Sequence, residues 1–198
     1  MRTVGDEQQR QYWELFEQLP EELGYADYLG ALQRFRTEDL HQPHLMQVST
    51  FLLNYPFANR LFPGSLDAVE RAASWGEVAI VSDGDVVFQP LKVHRSGLFE
   101  AFDGKVLIYI HKERELADVE RRFPAEHYVF VDDKPRLCGA IKAHWGPRVT
   151  TVFPRQGHYA HDAAEVAKYP TPDVTIERVG ELVDWELPAL IAAAREAR

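Results

Sequence analysis

Four polar side chains in this sequence are of the types that together hold a phosphate group and a metal ion. Ser82 supplies a hydroxyl, Lys112 an ammonium, and Asp132 with Asp133 a pair of carboxylates. A hydroxyl can hold a phosphate oxygen, an ammonium offsets phosphate charge, and neighbouring carboxylates bind Mg²⁺. If the fold brings them together, these residues predict phosphoryl-transfer chemistry.

Each of these groups directly follows a short apolar run, or lies one residue beyond it. Five runs read as strands: 78–81, 106–110, 128–131, 149–153 and 174–176. Helical stretches such as 113–123 and 135–145 separate them, and this alternation predicts an α/β fold with a parallel sheet covered by helices on both faces. Ligands bind beyond the carboxyl ends of such strands, so we expect the polar residues at one edge of the sheet.

The N-terminal part of the chain has a different pattern. Apolar residues recur at helical spacing from residue 7 to residue 57, and Pro20 and Pro56 mark expected breaks because proline removes a backbone donor. We therefore predict two regions, an α-helical cap-like region over residues 1–60 and an α/β core over residues 61–198.

Composition excludes several classes of function. The net charge is −9 with no concentration of Lys or Arg, so nucleic acid is not an expected partner. No apolar run reaches the length of a membrane span and no secretory leader begins the sequence, so we expect no membrane partner and a cytoplasmic location. The single cysteine, Cys138, forms no intramolecular disulfide and is expected in the core.

The order of serine, lysine and paired aspartates at successive strand ends resembles the second, third and fourth motifs of the haloacid dehalogenase superfamily. Thirty residues separate Ser82 from Lys112 and twenty separate Lys112 from Asp132, each enough for one crossover helix. The helical region lies where many members carry an α-helical cap. The resemblance implies a Rossmann-like core and a Mg²⁺-dependent phosphatase acting on a small phosphorylated metabolite, since the dehalogenases use no metal.

The resemblance also implies roles for individual residues. Ser82 and Lys112 would be catalytic, with Ser82, Asp83 and Gly84 in contact with the substrate. Asp132 and Asp133 would hold Mg²⁺. Each has an ordinary alternative, because a serine or lysine at a strand end is often a turn or solvated residue, and an aspartate pair before Pro135 can serve only as a helix N-cap.

The family's first motif, an apolar strand ending in Asp-x-Asp, has no counterpart before residue 7. In the family this strand lies between the strands predicted at 78–81 and 128–131, so its absence would leave a slot with unpaired backbone groups. We expect that the natural protein starts upstream of Met1. Alternatively another segment or a second copy in a homodimer fills the slot, or the flanking strands pair directly.

Asp83 and Asp85 also form an Asp-x-Asp at a strand end and could be the nucleophile and acid. Their position argues against this role, because the helical region precedes this strand whereas a capped member inserts its helices after the nucleophile. Without a nucleophile the chain could instead be a catalytically inactive binding or regulatory module, so enzymatic activity is left open. A receiver-like domain is disfavoured because Lys112 precedes Asp132.

Other residues are weaker candidates. Arg155 follows the fourth strand and is expected to contact the substrate, because a loop at this edge faces the ligand. His158 and His161 could bind metal but have no obvious third ligand. His41 and His44 are expected to be exposed. Five aromatic residues could line a cap surface, although ordinary packing is the default: Tyr12, Trp13, Phe16, Tyr25 and Tyr28.

Overall fold

The computed structural model describes residues 6–23, 27–38 and 45–196. The helices are α1 Asp6–Leu23, α2 Tyr28–Glu38, α3 Leu45–Leu53, α4 Ser65–Ala73, α5 Phe88–Arg95, α6 Leu98–Ala101, α7 Leu116–Arg122, α8 Pro135–Trp145, α9 Gly157–Ala160, α10 Ala163–Val166 and α11 Leu187–Glu196. The strands are β1 Ile80–Asp83, β2 Val106–Tyr109, β3 Tyr128–Val131, β4 Val149–Pro154 and β5 Val174–Ile176. Short 3₁₀ turns cover Phe57–Arg60, Lys112–Arg114, Gly146–Arg148 and Val179–Asp184.

The chain divides into two compact units. The first comprises Met1–Arg60 and Ala79–Lys112, and the second comprises Leu61–Val78 and Glu113–Arg198. Helices α1 to α3, α5 and α6 and strands β1 and β2 belong to the first unit. The remaining helices and strands β3 to β5 belong to the second, so each of the units contains parallel strands together with helices.

The first unit has a helical core built from periodic apolar faces. Its buried residues come from α1, α2 and α3, together with Phe88 of α5: Tyr12, Leu15, Leu19, Ala31, Leu32, Phe35, Val48, Leu52 and Phe88. Trp13, Phe16 and Tyr28 pack against this cluster. Ordinary packing therefore accounts for four of the five candidate aromatic residues. The fifth, Tyr25, lies outside the described residues, as do His41 and His44.

The two proline breaks expected in the helical region have different outcomes. The break expected at Pro20 is wrong, because α1 continues to Leu23. Pro20 lies in the last turn of α1, so it removes only one backbone hydrogen bond from the helix. The break expected at Pro56 is confirmed, since α3 ends at Leu53.

The first unit's sheet consists of two parallel strands. Ile80 of β1 pairs with Val106 of β2, and Asp83 pairs with Tyr109. The strand expected at residues 78–81 is shifted by two residues, because its pairing with β2 begins at Ile80 and extends through the polar Ser82 and Asp83.

The second unit's sheet has three parallel strands in the order β3-β4-β5. Every residue of the central strand β4 is buried, including the hydroxyl-bearing Thr150 and Thr151. One carboxylate oxygen of Asp173, Oδ2, accepts hydrogen bonds from the backbone N–H of Thr151 at 2.8 Å and from Lys142 Nζ at 2.6 Å. This buried carboxylate ties β4, the start of β5 and α8 together, which satisfies polar groups that burial would otherwise penalise.

All strand pairs are parallel, and the predicted α/β class with a Rossmann-like fold is confirmed. The five described strands form two separate sheets, β1-β2 and β3-β4-β5. Direct pairing of the two strands that flank the expected slot is therefore wrong for the described strands. A strand supplied by another segment or by a second copy stays a prediction. None of the described helices combines the length and the apolar character that crossing a membrane requires.

Candidate functional site

The ends of β1 and β2 carry a set of residues that we call the serine–lysine group: Ser82, Asp83, Gly84 and Lys112. The backbone N–H of Lys112 donates to Asp83 Oδ1 at 2.6 Å, and the Lys112 ammonium donates to the Val81 carbonyl oxygen at 3.1 Å. Lys112 is only 8% exposed. Lys112 is thus held at the strand ends by hydrogen bonds of both its main chain and its side chain.

Ser82 presents its hydroxyl beside the start of α5. The Gln89 side-chain amide donates to Ser82 Oγ at 2.7 Å, and the hydroxyl itself donates to the Asp83 carbonyl oxygen over a longer distance of 3.3 Å. Gly84 follows in the turn, and its N–H donates to the Tyr109 carbonyl oxygen at 3.0 Å. The N–H of Gly84 is therefore engaged between the strands, and a contact of Gly84 with the substrate stays a prediction.

Both aspartates of the local Asp-x-Asp have structural partners. Asp83 accepts the Lys112 N–H, and Asp85 Oδ1 accepts the N–H groups of Val87 at 2.9 Å and Phe88 at 2.5 Å. A carboxylate that accepts N–H groups at the start of a helix satisfies donors that have no partner within the helix. The contacts of Asp85 therefore fix where α5 begins.

The second unit carries the remaining candidates, Asp132 and Asp133, which we call the aspartate pair. They directly follow β3, and the N–H of Asp132 donates to the Val152 carbonyl oxygen at 3.1 Å. Asp132 Oδ1 accepts the N–H of Lys134 at 2.9 Å. The N-cap residue of α8 is Lys134, so Asp132 accepts an N–H at the start of this helix without being its N-cap residue.

Asp133 lies against Gly157, the first residue of α9, the helix that follows β4. Gly157 has a φ of +78°, and a β-carbon at this position would lie 2.7 Å from Asp133 Oδ2. A side chain at this position would require the Asp133 carboxylate to shift, and the positive φ independently favours glycine. The second unit therefore places the start of α9 beside Asp133, at a position whose backbone conformation favours glycine.

The aspartate pair fits part of a magnesium site. Mg²⁺ is usually bound through one or two carboxylates, with waters and substrate phosphate oxygens completing its six ligands. Two adjacent carboxylates on an ordered strand end match this donor set. Within residues 6–23, 27–38 and 45–196, no three His, Cys, Asp or Glu side chains are placed to share a metal ion.

The loop after β4 holds the candidate Arg155. Its side chain is exposed and donates to Glu177 Oε1 at 3.3 Å, while its N–H donates to the Ile176 carbonyl oxygen at 2.8 Å. Its contact with a substrate stays a prediction. His161 is exposed, and the side chain of His158 lies outside the described part of the structure.

Two residues at these strand ends were missed from the sequence. Gln89 contacts Ser82. The sequence signal for Gln89 was Asp85, because an aspartate can accept N–H groups at the start of the helix that follows it. Gly157 lies against Asp133. The sequence signal for this contact was a glycine two residues after Arg155. Both contacts depend on where a loop turns, which residue periodicity does not reveal.

A shallow groove of about 410 Å³ opens on α3 in the first unit. Its lining consists of Met46, Gln47, Thr50 and Phe51, and Met46 is 81% exposed. No candidate site residue lines this groove. The groove is therefore not part of the candidate site.

Two of the solved structures that the chain resembles are hydrolases of one family. A protein of Burkholderia xenovorans LB400, provisionally named a haloacid dehalogenase-like hydrolase, is 54% identical over 94% of this chain and 86% of its own, with a TM-score of 0.88. A haloacid dehalogenase-like family hydrolase of Xanthomonas campestris is 18% identical over 100% of this chain and 82% of its own, with a TM-score of 0.62, and shows likeness of fold alone. No protein-family model and no curated protein matches the chain.

Proposed function

Since the chain belongs to the haloacid dehalogenase-like hydrolases, we propose that it is a Mg²⁺-dependent phosphatase acting on a small phosphorylated molecule in the cytoplasm. The observation that carries the proposal is that Lys112 is buried and that its ammonium donates to the carbonyl oxygen of Val81, the residue before Ser82 in β1. A phosphate bound beside this ammonium would add a charge-assisted interaction to the contacts that Lys112 already makes.

In this proposal the serine–lysine group binds and orients the phosphate. The Ser82 hydroxyl and the N–H of Asp83 hold two phosphate oxygens, and the Lys112 ammonium neutralises charge that develops on them. Asp83 keeps Lys112 in place through the 2.6 Å hydrogen bond to its N–H. Arg155 is proposed to contact the rest of the substrate, because it lies in a loop at the carboxyl end of β4.

The aspartate pair is proposed to hold Mg²⁺, which, when bound, supplies positive charge to the phosphoryl oxygens. Gly157 supports this role because it leaves room for the Asp133 carboxylate. Asp83 and Asp85 are not assigned as nucleophile and acid, because their carboxylates hold Lys112 and the start of α5.

These engaged carboxylates favour a second candidate function, a phosphate-binding module without turnover. The same serine–lysine group would bind phosphate in either case. The two candidates differ in turnover, so an assay with Mg²⁺ on a panel of small phosphate monoesters separates them.

The decisive variants are Lys112→Met and Asp132→Ala, with Lys168→Met as a matched control on the surface. Removing a group that stabilises transition-state charge costs about 10²- to 10³-fold in kcat, so we expect such a loss for Lys112→Met. Asp132→Ala should abolish the turnover that Mg²⁺ supports, because it removes a proposed metal ligand. Lys168→Met should retain wild-type turnover, because the Lys168 side chain is 63% exposed. Turnover that is indifferent to Lys112→Met would contradict the phosphatase proposal, whereas phosphate binding without turnover would favour the module.

A further inference from the structure

We propose that Gln89 is a positioning residue that orients the Ser82 hydroxyl toward a bound phosphate oxygen. The inference rests on the proposed role of Ser82 and goes beyond it by assigning the residue that controls this hydroxyl. The Gln89 side-chain amide donates to Ser82 Oγ at 2.7 Å, a short and direct hydrogen bond between two partly buried side chains.

The direction of this hydrogen bond decides what the serine can do. A serine hydroxyl has one proton to donate and two lone pairs that accept. Because the Gln89 amide occupies a lone pair, the proton of Ser82 is left for another acceptor. Its present acceptor is the Asp83 carbonyl oxygen at 3.3 Å, which is a long hydrogen bond. An anionic phosphate oxygen forms a stronger, charge-assisted bond and would displace it.

The backbone around Gln89 is fixed on its N-terminal side. Asp85 accepts the N–H groups of Val87 and Phe88, so the first turn of α5 has a defined start. Phe88 is 2% exposed and its ring lies 4.5 Å from the ring of Tyr28 in the helical core. Gln89 directly follows this anchored residue, so its amide reaches Ser82 from a rigid base rather than from a loop.

Gly84 provides the space that Gln89 occupies. A β-carbon on Gly84 would lie 2.7 Å from Cβ and 2.8 Å from Cγ of Gln89. The φ of Gly84 is not in the left-handed region, so the reason for glycine is this close approach rather than an unusual backbone. Because residue 84 is a glycine, the turn at residues 82–85 leaves room for the Gln89 side chain at the end of β1.

A double-mutant cycle between Gln89 and Ser82 tests the proposal. Gln89→Met keeps the length of the side chain but removes the amide donor, and Gln89→Glu replaces it with an acceptor that would take the serine proton. We expect Gln89→Met to lower kcat/KM about tenfold, as loss of one ordinary hydrogen bond would, and Gln89→Glu to lower it further. Gln18→Met, on the exposed part of α1, is the control and should behave as wild type.

The result that identifies a positioning role is the coupling. In a Ser82→Ala background, Gln89→Met should lower kcat/KM by less than about twofold, because the group through which it acts is gone. Equal losses in both backgrounds, or no loss in either, would overturn the proposal. Thermal melting of each variant shows whether a loss comes from unfolding, and a merely structural role would not depend on Ser82.

The same double-mutant cycle can be measured without an activity assay. The measured quantity is then the affinity for inorganic phosphate, determined by isothermal titration calorimetry. If the wild type binds phosphate but hydrolyses no ester, the phosphatase proposal fails. The role of Gln89 then stands if Gln89→Met weakens phosphate binding about tenfold only when Ser82 is present. Binding that is unchanged by Gln89→Met contradicts the role, and a wild type with neither binding nor turnover overturns both proposals.

Discussion

The serine–lysine group and the aspartate pair are held in place by different means. Side-chain to backbone hydrogen bonds position the first group at the ends of a two-stranded sheet whose residues are only partly buried. The aspartate pair follows an edge strand of a three-stranded sheet, whose central strand β4 is completely buried. The first group thus depends on individual polar contacts, and the pair depends on a packed sheet.

This difference predicts different sensitivities to substitution. Removing one hydrogen bond from the serine–lysine group should change the orientation of a functional side chain while costing modest stability. Disturbing the buried sheet beneath the aspartate pair should cost stability first, because a buried network leaves several polar groups without partners when one member is lost.

The largest expected effect comes from Asp173→Ala in the second unit. This carboxylate is 7% exposed and bonds Lys142 and Thr151, so its loss leaves a partly buried ammonium and a buried N–H uncompensated. We expect a loss of about 3–5 kcal/mol in the free energy of unfolding, measured by chemical denaturation followed by circular dichroism. Asp83→Ala in the first unit removes the acceptor of the Lys112 N–H from a sheet whose residues are only partly buried, and it should cost less, about 1–2 kcal/mol.

A control for Asp173→Ala is Glu177→Ala, which removes an exposed ion pair with Arg155 and should cost less than about 1 kcal/mol. Equal losses for Asp173→Ala and Asp83→Ala would show that the two sheets do not differ in the way described. The comparison between hydrogen-bonded and packed positioning would then be wrong.

The next effect concerns the contact between Gly157 and the aspartate pair. Gly157→Ala adds a β-carbon 2.7 Å from Asp133 Oδ2, so the carboxylate must move. We expect Mg²⁺ binding to weaken about tenfold, which corresponds to about 1.4 kcal/mol, as measured by isothermal titration calorimetry. Gly146→Ala is a matched control, because Gly146 also has a positive φ of +56° but its β-carbon would meet nothing within 4 Å.

Both glycine variants should lose some stability from their backbone conformation, and only Gly157→Ala should lose affinity for the metal. An equal change in Mg²⁺ affinity for both variants would mean that backbone strain, rather than the contact with Asp133, causes the effect. Unchanged affinity in Gly157→Ala would separate Asp133 from metal binding.

The smallest expected effect is a pH dependence of the second unit's stability. Burial lowers the pKa of His127, and the positive charges of Lys142 and Arg195 lower it further. The folded protein therefore takes up a proton at this residue less readily than the unfolded chain. The contribution of His127 to the free energy of unfolding is complete above the ordinary histidine pKa of about 6.5. It is lost as the pH falls from that value through the lower pKa of the folded state.

His127→Asn should therefore reduce the loss of stability between pH 7.5 and pH 5.5, measured by denaturation at each pH. His127 also contacts Thr150 Oγ1 at 2.9 Å, so the variant is compared with itself across pH rather than with the wild type at one pH. An unchanged slope would show that His127 does not titrate differently in the folded and unfolded chains.

Much of the fold followed from the sequence pattern. The alternation of apolar runs with amphipathic stretches predicted parallel strands, and β3 and β5 have the expected bounds. The helix at Pro135–Trp145 was likewise expected. Periodicity reports which residues must be buried, and burial is what these elements share. Strand β1 was misplaced by two residues, because its pairing extends through the polar Ser82 and Asp83, which a search for apolar runs excludes.

The sequence by itself determined the chemistry available to this protein, through the order of a serine, a lysine and two aspartates after successive apolar runs. Only the tertiary structure decided which partner each polar group has: Asp83 for the Lys112 N–H, Gln89 for Ser82, and Gly157 for Asp133. The physical reason is that hydrophobic burial follows residue type and spacing, whereas a hydrogen bond or a close approach depends on positions of atoms to within tenths of an ångström. Those positions are set by where each turn and helix begins.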